Sequence, residues 1–214
     1  MNTKKLTILA MLSAIAFVLA AFARVPVVLF LRYDPKDVII AIGGFIYGPM
    51  AAFVITVVVS LIQMFTISQT GPWGLLMNII LSSAFCCTAA YIYKKNRSMR
   101  GAVYGLLAGF FVATITAMLW NYLVAPIYMG VSREQVAGLL VTAFLPFNLI
   151  KNGLNVAFTI LLYKHIKVIL QSTRLLPPSI EKGSSVKFNF GLLMVSVFIV
   201  ISCVLWVLVL QGVL

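Results

Sequence analysis

The chain has 214 residues, of which 63% are hydrophobic and only 9% charged, with a net charge of +12. With a mean hydropathy of +1.11, this composition excludes an ordinary soluble domain. Apolar runs long enough to span a bilayer recur along the whole length, which points to one polytopic, all-α membrane domain.

Apolar runs and their breakers place helices at about 5–23, 37–48, 50–67, 74–93, 101–125, 138–166 and 189–211. The first run follows Lys4 and Lys5 and has the look of a signal peptide. With no clear cleavage site and further spans behind it, it reads as a retained first helix. Residues 24–36 mix charge with apolar residues and read as a loop lying over the bundle. The second helix is short, roughly 18 Å at 1.5 Å per residue against a hydrocarbon core of about 30 Å. It closes at Gly48-Pro49, a tight reversal. Residues 69–74 read as the connection between the third and fourth helices, and residues 125–130 as a loop after the fifth. Gly101, Gly105 and Gly109 repeat at four-residue spacing and read as a close-packing face, as do the alanines at 10, 14, 16 and 20.

The sixth helix carries the sharpest signal. Lys151 lies in an otherwise apolar span, with Asn148, Asn152 and Asn155 beside it. A cation at the centre of a span costs roughly 2.5 to 3.5 kcal/mol on insertion scales. Two readings stand for it: a polar site within the membrane, or a lysine snorkelling to the interface. Asn121, one turn inside the end of the fifth helix, falls at a depth where Asn148 can meet it. Trp73, Trp120, Tyr122 and Tyr128 read more readily as interface-belt residues than as stacking platforms for a ligand.

Charge sets the orientation. With the N-terminus in the cytoplasm, eleven of the sixteen Lys and Arg residues fall on the inner side. Four fall outside (Arg24, Arg32, Lys36, Arg133), and Lys151 lies within a span. Topology and anionic lipid account for the positive charge without nucleic acid. The chain has no phosphate-binding G-x-x-x-x-G-K-[ST] run, no H-E-x-x-H and no G-x-S-x-G. Its one acid near a span is Asp37, close to an outer end, where a proton- or sodium-coupled carrier usually keeps one at depth. The three cysteines lack the spacing of a metal site or a disulfide framework. The chain reads as a binder, not an enzyme, with energy supplied elsewhere.

Five segments together resemble a known family: Y-D-P-K-D-V at 33–38, I-G-G-F-I-Y-G-P at 42–49, T-G-P-W-G-L-L-M-N at 70–78, L-W-N-Y at 119–122 and L-P-F-N-L-I-K-N-G-L-N at 145–155. They are similar to the riboflavin-specific substrate-binding (S) components of energy-coupling-factor transporters, over about residues 5–170. The resemblance implies a six-helix S-component bundle in the bacterial cell membrane. It implies riboflavin as cargo with no resident cofactor, and docking on a transmembrane coupling subunit that sits on two cytoplasmic ATPases. In that scheme the component topples in the membrane, and ATP hydrolysis resets it. It also implies flavin contacts at Asn121, Asn148 and Lys151, with Leu31, Tyr33, Trp73, Met77 and Asn78 completing the pocket. Ala10 and Ala14 resemble the docking face for the coupling subunit. The chemistry agrees: an Asn amide supplies a donor and an acceptor to the alternating edge of an isoalloxazine ring, and Lys supplies donors. An S component for another vitamin or for FMN, or a membrane scaffold with a structural Lys151, remain the other readings. The tail departs from the family pattern. Residues 171–188 read as a basic cytoplasmic linker, and 189–214 as an accessory transmembrane helix ending outside.

Overall fold

The computed structural model describes residues 3–28, 31–68, 70–172 (backbone only from 164) and 190–210. Eight α-helices dominate it: α1 (Thr3–Phe22), α2 (Lys36–Tyr47), α3 (Pro49–Thr66), α4 (Gly71–Lys95), α5 (Met99–Met129), α6 (Arg133–Leu139), α7 (Leu145–Ser172) and α8 (Phe190–Leu210). Among the described residues, six helical stretches are long and apolar enough to cross a membrane, α6 and α7 counting as one and α2 falling short. The all-α membrane bundle expected from the sequence is therefore the observed architecture.

The short α2 is the centre of that bundle. Every residue from Lys36 to Ile46 is buried, as expected for a helix apolar on all sides. Helices α1, α3, α4 and α7 surround it. Its glycines allow the crowding: a Cβ on Gly44 would lie 2.9 Å from Ala90 Cβ and 3.0 Å from Ala52 Cβ. The chain reverses at Gly48 with φ of 91°, a left-handed value that glycine alone adopts without strain. Pro49 then opens α3, where its missing N–H costs nothing.

Four expectations change. Residues 25–33 are not a loop but an antiparallel hairpin of β1 (Val25–Val28) and β2 (Leu31–Tyr33), with Pro26 opposite Arg32 and an irregularity before Val28. Its Val27, Val28 and Tyr33 are buried against α7 and α8. The connection expected at 69–74 is shorter, because Pro72 sits in the first turn of α4 and nucleates it; Gln69 lies outside the described residues. The loop expected at 125–130 is helical. Pro126 sits inside α5, and the helix ends only at Gly130, whose φ is 65°. The single sixth helix is three pieces: α6, a π-helical stretch Leu140–Phe144, and α7. Pro146 lacks the N–H that an unbroken α-helix would donate to Thr142, so the ladder widens just before it.

The tail segment is helical over Phe190–Leu210, and residues 173–188 of the expected linker lie outside the described residues. Helix α8 packs on α7 and on β1. Its Ser196 and Cys203 are buried, and most of its other side chains are exposed.

Candidate ligand cavity

At the end of the bundle where α3 stops and α4 begins, the helices splay around a cavity of about 410 Å³. The ends of α3 and α5, the start of α4, the start of α7 and the hairpin all contribute. That volume lies in the range of small-molecule sites, roughly 300–1,000 Å³. Leu31, Met77, Leu81, Tyr128, Phe144 and Phe147 give it apolar and aromatic walls, and Asn78, Asn121, Asn148, Lys151, Asp34 and Gln63 give it polar groups. Arg24 and Arg32 stand on the hairpin side.

The two buried asparagines are held by their own helices. Asn121 Nδ2 donates to Ala117 O at 2.8 Å, and Asn148 Nδ2 donates to Phe144 O at 2.8 Å. In each case the backbone bond occupies one amide proton and leaves the side-chain carbonyl free as an acceptor. The carbonyl of Phe144 is the last of the π-helical stretch, so the irregular backbone before Pro146 helps aim Asn148.

The lysine is neither snorkelling nor alone. Lys151 Nζ lies 3.5 Å from Asp37 Oδ2, with 14% of the lysine side chain and 2% of the aspartate accessible. Asp37, expected near an outer end, is thus inside the bundle. Asn155 Nδ2 donates to the same oxygen at 3.4 Å, and Tyr33 Oη donates to Asn155 Oδ1 at 3.1 Å. A second pair stands beside the first. Lys36 Nζ lies 3.5 Å from Asp34 Oδ2 and donates to Asn78 Oδ1 at 2.9 Å. Lys36, expected in an outer loop, is 1% exposed. Buried ions require such partners, because each alone costs several kcal/mol of desolvation. Of the run Tyr33-Asp34-Pro35-Lys36-Asp37, Asp34 lines the cavity, and Lys36 and Asp37 pair with Asp34 and Lys151.

Of the eight residues expected in the pocket, Leu31, Met77, Asn78, Asn121, Asn148 and Lys151 line this one cavity. Tyr33 and Trp73 do not. Tyr33 turns away to Asn155 and borders an apolar crevice between the hairpin, α7 and α8. Trp73 lies in the first turn of α4, 40% exposed. Asn152 also faces elsewhere, donating to Thr114 Oγ1 of α5 at 3.0 Å. Ala10 and Ala14 are exposed, opposite the buried face of Ile8, Leu12, Ala16 and Ala20. Sequence reasoning missed Asp34, Gln63, Phe144 and Phe147 as cavity residues, and read Tyr128 as a belt residue. Gln63 carried a signal, as a lone amide in the apolar α3.

The helical bundle thus sinks an apolar-walled cavity with a rim of polar groups into a membrane-spanning fold. The comparisons give the family. The family model described as "ECF transporter, substrate-specific component" matches residues 4–163, and the chain belongs to that family. It is 33% identical to the riboflavin transporter RibU of Staphylococcus aureus (strain TCH60) over 179 residues, 79% of this chain and 94% of the relative. It is also 33% identical to the riboflavin transporter FmnP of Bacillus subtilis (strain 168), over 77% of this chain and 93% of the relative. A solved structure described as the S component of a bacterial ECF transporter superposes with a TM-score of 0.69 at 32% identity, covering 80% of this chain and 99% of that one. Helix α8 lies beyond the family match.

Proposed function

We propose that this chain captures riboflavin in the cavity between the hairpin and α3, α4, α5 and α7, and passes it inward with an ATP-driven coupling module. The observation that carries this reading is the convergence of Asn121, Asn148 and Lys151 on one apolar-walled cavity. A flat tricyclic ring with an imide edge needs both features: walls to stack on, and donors and acceptors at one rim. Met77, Leu31, Phe144 and Phe147 serve as walls. Asn78, Gln63 and Asp34 remain for the ribityl hydroxyls. The names of the relatives point the same way.

The cavity opens on the outer side when the N-terminus is cytoplasmic, as the bias of Lys and Arg toward the other side requires. Helix α8 then ends outside. The exposed face of α1 bearing Ala10 and Ala14 lets a partner helix approach closely and serves as the docking face for the transmembrane coupling subunit. That subunit in turn sits on two cytoplasmic ATPases.

The test is direct. Protein purified from cells grown with riboflavin should carry a flavin absorbance at stoichiometric level, and ligand-free protein should bind riboflavin on titration. Lys151→Met removes a cationic donor, and a hydrogen bond to a charged group is worth roughly 1.5–3 kcal/mol, so binding should weaken about ten- to a hundredfold. Colourless protein that binds no riboflavin would reject the reading. Arg24 and Arg32 at the cavity favour a second ligand, a flavin bearing a phosphate, and competition by FMN tests it.

A further inference from the structure

We infer that Asp37 is the positioning residue of the ligand site: it neutralises Lys151 and fixes the direction of its ammonium, without touching the ligand itself. Asp37 is 2% exposed and is not among the cavity-lining residues, whereas Lys151 is. The inference rests on the riboflavin reading for its main measurement.

The geometry supports a one-way chain of dependence. Tyr33 Oη donates to Asn155 Oδ1, Asn155 Nδ2 donates to Asp37 Oδ2, and that oxygen faces Lys151 Nζ at 3.5 Å. Asp37 is therefore held from two sides, by the hairpin through Asn155 and by its place in the first turn of α2. Its backbone carbonyl also accepts from Cys86 Sγ at 3.4 Å, which pins that turn against α4. An ammonium has three protons. With one directed at Asp37, the other two project along fixed directions, and the cavity lies on the exposed side of the lysine. Without Asp37 the cation has no fixed acceptor behind it.

The neighbouring carboxylate does not substitute. Asp34 lines the cavity, but its Oδ2 is paired with Lys36, whose ammonium also donates to Asn78. Moving Asp34 to Lys151 would strand Lys36, which is 1% exposed. Two cations and two carboxylates stand together here, and each ion pair uses one carboxylate oxygen, leaving Oδ1 of both Asp34 and Asp37 buried without a hydrogen-bond partner. The site consequently offers a cationic donor while the pair carries no net charge, which suits an uncharged ring whose edge must be hydrogen-bonded and not merely attracted.

The experiment is a double-mutant cycle on the full chain, reading riboflavin Kd and melting temperature for the wild type, Asp37→Asn, Lys151→Met and the double variant. Each single change should weaken binding roughly ten- to a hundredfold. The double variant should bind no more weakly than Lys151→Met alone, because Asp37 acts only through the lysine. Asp37→Glu, which keeps the charge, should recover most of the loss seen in Asp37→Asn. If the losses multiply in the double variant, or if Asp37→Asn binds like the wild type, the inference is overturned. The melting temperatures serve when Asp37→Asn is too unstable to titrate. The double variant, which has neither ion, should then melt above Asp37→Asn, and a double variant that melts lower overturns the pairing. That arm needs no ligand, so a chain that fails to bind riboflavin defeats the ligand reading and leaves the pairing to be judged on stability.

Discussion

The contact between α4 and α5 sets the width of the cavity, because α4 carries Met77 and Asn78 while α5 carries Asn121. Two glycines let these helices touch. A Cβ on Gly105 would lie 2.6 Å from Ala89 O, and one on Gly109 would lie 2.6 Å from Phe85 O. Ordinary contact begins at 3.4 Å, so Gly109→Ala must move backbone against backbone by about 0.8 Å. Neither atom is the end of a flexible side chain, so the helices have to part. Overpacking of this kind costs typically 1–3 kcal/mol. Against it stands the helix propensity of alanine, better than glycine by roughly 1 kcal/mol. At 2.6 Å from a backbone oxygen the packing cost outweighs that gain, and a chain of this size loses roughly 2–4 °C of melting temperature per kcal/mol. Gly138 in α6 is the control, since a Cβ there meets nothing within 4 Å. Gly109→Ala should therefore lower the melting temperature of the purified protein by a few degrees, and Gly138→Ala should leave it unchanged or raise it. Riboflavin affinity should fall only in the first. Equal shifts in the two variants would refute the close-packing argument.

Three further outcomes follow from the placement of other residues. Trp73→Phe should leave riboflavin affinity within a few-fold, because Trp73 is 40% exposed in the first turn of α4 and does not line the cavity; a tenfold loss on titration would return it to the site. Ala10→Leu with Ala14→Leu adds bulk to an exposed face of α1 and should abolish co-purification with the coupling subunit while the isolated chain still binds riboflavin. Loss of binding in that variant would mean the face packs inward. Deleting α8 should keep affinity within a few-fold, since α8 contributes no residue to the cavity, and should speed riboflavin release in stopped-flow, because α8 backs β1 and Tyr33; an unchanged release rate would show that the hairpin stands without it.

The sequence makes the helices legible because each is an apolar run with a breaker at its end. It makes Lys151, Asn148 and Asn121 legible because polar groups in spans are costly and stand out. The partner of Lys151 was not legible. Asp37 lies 114 residues upstream at the mouth of a helix too short to span, and no periodicity connects the two. Proline misled twice for one reason. Pro72 and Pro126 read as punctuation, yet the first sits where a helix needs no N–H, and the second is spanned by a turn that Gly130 later closes. The hairpin escaped notice because its strands are three and four residues long and one contains Pro26, too short for alternation to register.

The distance in sequence between the paired ions also has a meaning during synthesis. Lys36 and Asp37 leave the ribosome well before Asn78, and long before Lys151 and Asn155. At roughly 5–20 residues per second, Asp37 waits on the order of ten seconds for its cation. Until α7 arrives, the Asp37 carboxylate lacks Lys151 and Asn155, and the 12-residue α2 is too short to span a hydrocarbon core of about 30 Å by itself. A chain truncated before α7 would lack Lys151 and Asn155, the partners of the Asp37 carboxylate, and burying that carboxylate at the centre of the bundle would then cost several kcal/mol.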